Sequence, residues 1–116
     1  MMDTSKGIIE IFSIGLKPGT GPIFNQLYTG QSVPLQKRFG VNLIAYGPSL
    51  HDADAFFVVR HFESLEHRQN SHDKFYGSNE WKTGPREGIL SLIDSYTTVV
   101  LPSSDELVRA FAKTNQ

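Results

Sequence analysis

Helical spacing puts four residues in one line between Ser64 and Tyr76: Leu65, Gln69, His72 and Tyr76, with Arg68 and Phe75 on the flanks. His67, Asn70, Ser71 and Lys74 fall on the opposite, solvated side. A helix resting on a dry core would carry Leu, Ile or Val along its inner line. Here Gln69 and His72 occupy it. Buried polar groups require partners, so this helix is expected to roof a wet pocket. His72 then becomes the first candidate for a proton donor or acceptor near neutral pH. The plainer reading is a histidine at a helix–sheet boundary, hydrogen-bonded to backbone.

Arg60 and His61 end a strand and point to opposite faces of it, so one must face the helices and the other the far side of the sheet. An ionised Arg60 on that far side would need a carboxylate, which Glu10 or Asp94 could supply. Glu10 is the matching oddity, a carboxylate flanked by isoleucines. A Glu10–Arg60 or Glu10–His61 pair could anchor or activate a polar group on a ligand. It could equally be an ion pair between strands or across a subunit contact, and the second reading is favoured. Tyr46, Tyr96 and Trp81 could line a pocket and stack on an aromatic ligand. The alternative for all three is plain core, with Trp81 wedging the helix against the sheet.

Other groupings carry less. His51-Asp52-Ala53-Asp54 gathers metal-type ligands in a turn-rich hairpin loop without rigid geometry, and Glu63 with His67 makes half a metal site; no metal is expected. Gly15, Gly19 and Gly21 lack the strand–GxGxxG–helix setting of a dinucleotide site and are read as turn formers. There is no P-loop and no Gly-x-Ser-x-Gly elbow. Asp105 and Arg109 make an ordinary surface pair. The formal net charge is −1 and the basic residues are scattered, which argues against a nucleic-acid binder. No apolar run reaches a membrane span, and residues 1–6 lack a signal-peptide core. With no cysteine, disulfides and thiolate sites are excluded; a cytoplasmic location is the expectation.

These residues sit on a readable set of elements. Strands are predicted at Ile8–Ile14, Val41–Tyr46, Ala55–Phe62 and Ile93–Leu101, where β-branched and aromatic residues gather. A first helix should start near Pro22, capped by Thr20 or Gly21, and end at Gly40. Pro34 interrupts it, since a proline ring clashes with the carbonyl four residues back at a cost of about 3 kcal/mol. A kink or split is expected between Gly30 and Pro34. The second helix, capped by Ser64, breaks at Gly77, and short helical stretches follow around Trp81 and towards Leu90. The order βαββαβ gives a ferredoxin-like α+β fold with a four-stranded antiparallel sheet. Residues 1–102 form the domain and 103–116 a short amphipathic tail, opened by the capping pattern Ser103-Ser104-Asp105-Glu106.

The sheet is apolar on both faces. Phe57 and Val59 oppose Phe56, Val58 and Phe62; Ile9 and Ile11 oppose Ile8, Phe12 and Ile14; Ile93, Val99 and Leu101 oppose Tyr96 and Val100. Two helices cover one face only, and the other would be too large an apolar patch for a soluble monomer. A second copy is the expected cover, in a twofold contact of about 1,200–2,000 Å² or more. A tail folded back over the open face is the lesser alternative, because one short helix covers little area.

Several of these segments, taken in order, resemble the NIPSNAP family. They are Glu10 followed by Lys17-Pro18-Gly19, the proline at 34, the run Ser64-Leu65-Glu66-His67-Arg68, the stretch Phe75 to Trp81, and Val99-Val100-Leu101-Pro102. The resemblance spans Ile8 to Pro102. It implies a dimeric α+β barrel, with two sheets facing each other and helices outside. It implies little chemistry, because the family has no agreed catalytic signature; members include proteins with interaction or scaffolding roles in mitochondria. The wider barrel group includes cofactor-free monooxygenases, isomerases, dehydratases and haem-degrading enzymes, and fold alone does not choose among them.

The expectation is therefore a homodimer with a pocket for a small apolar or aromatic metabolite. No cofactor is expected, and any activity would be of the cofactor-independent monooxygenase or isomerase kind. Candidate residues are His72, Glu10 and His61 for catalysis, and Gln69, Tyr76, Arg60, Tyr46, Tyr96 and Trp81 for ligand binding. A non-catalytic interaction module, with the tail or dimer surface docking a partner, is the alternative. Haem handling through His72 or His61 ranks third.

Overall fold

β1 (Ile8–Leu16) lies at the centre of the sheet, with β3 (Ala55–Phe62) on one side and β4 (Ile93–Pro102) on the other. β2 (Asn42–Pro48) pairs with the outer side of β3, so the antiparallel order is β2-β3-β1-β4. This is the ferredoxin-like arrangement. A computed structural model describes residues 3–115. Between β1 and β2 run α1 (Gly21–Leu27), a π-helical turn (Tyr28–Ser32) and α2 (Val33–Arg38). Between β3 and β4 run α3 (Leu65–Tyr76), α4 (Asn79–Thr83) and α5 (Arg86–Leu90), and α6 (Asp105–Ala112) follows β4.

Local chemistry explains most boundaries. The Ser64, Ser78 and Ser104 hydroxyls accept the amides of His67, Trp81 and Leu107, capping α3, α4 and α6. Thr20 does not cap α1 with its side chain. Asp54, from the β2–β3 loop, serves instead by accepting the amides of Gly19 and Gly21, both at 2.9 Å. Pro34 does interrupt the first helix, and the chain absorbs it as a π turn. Val33 N–H reaches back to the carbonyl of Tyr28, and α2 restarts with Pro34 in its first turn, where a missing N–H costs nothing.

The helix-side core holds Ile14, Leu16, Phe24, Tyr28, Phe56, Val58, Phe75, Trp81 and Ile89. Ile93 joins this side, against the expected grouping with Val99 and Leu101. A bulge makes Leu16 pair with Ile93 while Gly15 pairs with Ser95, and that extra residue flips the strand end. On the far face Ile9, Ala45 and Val59 are buried beneath Leu107, Val108 and Phe111 of the tail. The expectation that the tail contributes little cover is corrected at this end of the sheet. It does not reach the β4 side, where Val99 is 52 % and Leu101 37 % exposed. No described helix is long and apolar enough to cross a membrane.

Candidate functional site

Register decides the orientation that residue type alone left open. Glu10 pairs directly with Arg60 across β1 and β3, so both side chains stand on the helix side of the sheet. His61, one residue on, falls on the far face opposite Ile9. Its Nε2–H donates to the Lys6 carbonyl at 2.6 Å and its Nδ1 is buried without a partner among the described residues. The His61 side chain therefore lies on the opposite face of the sheet from those of Glu10 and Arg60.

Around Glu10 the polar groups converge into one network. The carboxylate is 1 % exposed and Arg60 3 %. Glu10 Oε1 accepts from Arg60 Nε at 2.7 Å and lies 2.6 Å from Nη2 in the same ion pair. Oε2 accepts from His72 Nε2 at 2.8 Å and Arg68 Nε at 2.5 Å. Arg60 Nη1 goes on to donate to Gln36 Oε1 at 3.1 Å and to the Tyr76 hydroxyl at 3.0 Å. Gln36 Nε2 in turn donates to Tyr28 Oη at 2.9 Å and Ser32 Oγ at 3.0 Å. The π turn contributes here, because it carries Tyr28 and Ser32 inward on the same side as Gln36.

The electrostatics follow from this crowding. Burial on its own would raise the Glu10 carboxyl, but the His72 hydrogen bond and the Arg60 and Arg68 guanidiniums outweigh it and hold the group down at about 2. Both carboxylate oxygens are engaged by donors. Burial raises the Tyr28 hydroxyl well above the ordinary phenol range, which keeps it neutral.

Above the network lies a cavity of about 390 Å³ between the sheet and the helices. Glu10, Arg60, Arg68, His72 and Tyr76 make its polar end. Phe12, Ile14, Phe24, Trp81, Ile89 and Ile93 make its apolar end, and Gln69, Leu90, Tyr96 and Thr98 contribute exposed positions at its edge. The His72 ring stacks on Tyr76, with centroids 5.4 Å apart and planes 14° apart.

Of the residues singled out from sequence, the fold brings together Glu10, Arg60, His72, Tyr76, Trp81, Tyr96 and Gln69. Gln69 is exposed and bonds Asp73 Oδ1 at 2.9 Å. Tyr46 does not line the cavity; it packs 6.3 Å from Tyr28 in the core. Trp81 both lines the cavity and braces α3, with its ring 5.4 Å from Phe75 and 5.3 Å from Tyr76. Leu65 is 62 % exposed, so the inner face of α3 is rotated from the expected one. It runs through Arg68, His72, Phe75 and Tyr76, an i, i+4, i+7, i+8 stripe. Arg68, Gln36, Tyr28 and Ser32 are site residues that sequence reasoning misses. The alignment of Arg68 with His72 and Tyr76, and of Tyr28, Ser32 and Gln36 at four-residue steps, is the signal that could have found them. Among the described residues no group of three or more His, Asp or Glu side chains is placed to hold a metal.

Neither a family model nor a curated protein sequence matches this chain. Solved structures do. An uncharacterized NIPSNAP-like domain protein from Burkholderia xenovorans superposes with a TM-score of 0.75 at 20% identity, over 85% of each chain. A NIPSNAP family protein with unknown function from Agrobacterium tumefaciens gives 0.76 at 19% identity, over 84% of this chain and 87% of that one. A candidate antibiotic biosynthesis monooxygenase from Nitrosomonas europaea gives 0.62 at 12% identity, over 81% of this chain and 95% of that one. The fold of this chain is thus the one NIPSNAP proteins share with members of a wider α+β group.

Proposed function

We propose that this chain, which has the NIPSNAP fold, binds a small apolar or aromatic metabolite in the cavity over Glu10 and acts as a homodimer. The observation that carries the first part is a cavity of about 390 Å³ that is apolar at one end and polar at the other. Its volume falls within the usual range for ligand sites, about 300–1,000 Å³. If the bound molecule is also transformed, His72 is the group to do it. Its Nε2–H is held by Glu10, which fixes the tautomer and leaves the Nδ1 lone pair as a base. Removing a proton from an activated substrate to Nδ1 is the opening step an isomerase or a cofactor-independent monooxygenase needs. Glu10, with both oxygens engaged by Arg60, Arg68 and His72, orients His72 and takes no proton itself. Haem ligation is less well supported. It would require Nε2 of His72 to leave Glu10, or that of His61 to leave the Lys6 carbonyl.

The single tryptophan offers a direct test. Titrating 2-naphthol should shift the Trp81 indole N–H resonance saturably, and Ile89→Phe, which narrows the cavity, should weaken the response. His72→Ala should weaken binding about tenfold, the value of one hydrogen bond. A chain whose indole resonance ignores the probe does not use this cavity for aromatic ligands.

The homodimer reading rests on Val99 and Leu101, apolar side chains on the far face that the tail leaves exposed, beside the partly buried Ile11. In this reading a second copy covers them. The C-terminal helix is a poor candidate for docking another protein, since Leu107, Val108 and Phe111 already pack on Ile9, Ala45 and Val59. Sedimentation at micromolar concentration should give a dimer for the native chain and a monomer for Leu101→Glu. A native chain that sediments as a monomer overturns this part.

A further inference from the structure

The charges lining the cavity do not balance. Among the described residues that line it, Glu10 is the only carboxylate, against the guanidiniums of both Arg60 and Arg68. Arg60 is engaged on every side, by Glu10, Gln36 and Tyr76. Arg68 is not. It gives only Nε to Glu10, and its two terminal nitrogens carry no hydrogen bond among the described residues. Its side chain is 25 % exposed, which places the surplus positive charge at the polar end of the cavity, partly in reach of solvent. The carboxylate of Asp73, one turn from Gln69, does not neutralise it. Asp73 is exposed and accepts from Gln69.

We propose that the ligand is an apolar or aromatic carboxylate, its anionic end held by the two terminal nitrogens of Arg68 beside His72 and its body lying against Phe12, Trp81 and Ile89. This deepens the pocket reading above and rests on it. A guanidinium with both terminal nitrogens free is shaped for a carboxylate, which it binds through two parallel hydrogen bonds. A charge partly withdrawn from water gains more from an opposite charge than an exposed one does. A neutral ligand of the same shape would bury the surplus cation without compensation. The apolar walls rule against a small inorganic anion as the natural occupant, because most of the cavity surface would then stay dry and unfilled.

The experiment compares 2-naphthoate with 2-naphthamide, which has the same shape and no charge, by titration against the Trp81 indole resonance at pH 7. The native chain should bind the carboxylate at least tenfold more tightly. In Arg68→Met the preference should fall to about one. Arg68→Lys, which keeps the charge and loses the fork, should show an intermediate preference. Equal binding of both probes by the native chain overturns the carboxylate assignment and leaves the pocket standing. A preference that survives in Arg68→Met overturns the role of Arg68. No saturable shift with either probe overturns the pocket reading and this one together. The native comparison needs no variant, so the proposal is exposed even if Arg68→Met fails to fold.

Discussion

Replacing Glu10 by glutamine is expected to lower the unfolding free energy by about 3–5 kcal/mol, the range for removing one partner of a buried ion pair. Arg60 is 3 % exposed and would lose the carboxylate that pairs with it. The new side-chain amide would offer one acceptor oxygen where the carboxylate now offers two to Arg60, Arg68 and His72, and its NH₂ would confront donors. At about 4 °C per kcal/mol for a chain of this size, the melting temperature should fall by about 12–20 °C. The double variant Glu10→Gln with Arg60→Met separates two explanations. If the cost is a stranded cation, the double variant is no less stable than the single one. If the cost is lost packing, the losses add.

The same carboxylate gives the native chain an acid limb. Its folded pKa of about 2 lies below the ordinary 4.5. A carboxyl depressed in this way contributes stability that is fully present above the unfolded value and is lost as pH falls through the folded one. The contribution is about 3 kcal/mol, and it disappears between about pH 4.5 and about pH 2. Urea midpoints measured down that range should fall more steeply for the native chain than for Glu10→Gln. Parallel slopes would mean the network does not hold Glu10 ionised.

Gly21→Ala should be nearly as damaging, for a reason unrelated to charge. A Cβ at this position would sit 1.7 Å from the carbonyl oxygen of Ala53 and 2.7 Å from its carbon. Both atoms are backbone and cannot rotate away. The Gly21 amide is also tied to Asp54 Oδ1 at 2.9 Å, so relief requires α1 to move off the β2–β3 loop. Overpacking of this kind costs about 3 kcal/mol or more, read as a drop of about 12 °C in melting temperature. Because α1 carries Phe24 into the cavity wall and leads into the turn that holds Tyr28, ligand affinity should fall as well. Gly19→Ala is a useful contrast. Its added Cβ meets nothing within 4 Å, yet Gly19 has φ +81°, so the modest loss there should come from backbone strain alone.

How far the chain can be read from residue types depends on how local each cause is. The β-branched runs, the Ser64 cap and the proline at 34 declare themselves within a few residues, and the elements they predict are the ones observed. The polar oddities Glu10, Arg60 and His72 are also legible, because a charged or ionisable residue inside an apolar pattern is anomalous wherever it lies. Gly21 reads locally as a turn former, and that reading misses its role. Its requirement comes from a strand loop more than thirty residues away, and no local pattern records that. Arg68 escapes a reading by helical angle, because such an estimate cannot fix the rotation of α3 about its axis. Phe75 packing on Trp81 and Phe39 does fix it.

The amino-acid sequence by itself determined the element order, the two-sided apolar sheet and the short inventory of groups able to do chemistry. Those depend on residue type and on periods of two and 3.6, both of which are written along the chain. Only the tertiary structure decided that Glu10 faces Arg60 across β1 and β3, that His61 is turned away, and that Arg68 and His72 complete the cluster. The β1–β3 register and the rotation of α3 set those choices. Each is a compromise among contacts distant in sequence, and a shift of one residue in any of the strands would send the same side chains to the opposite face.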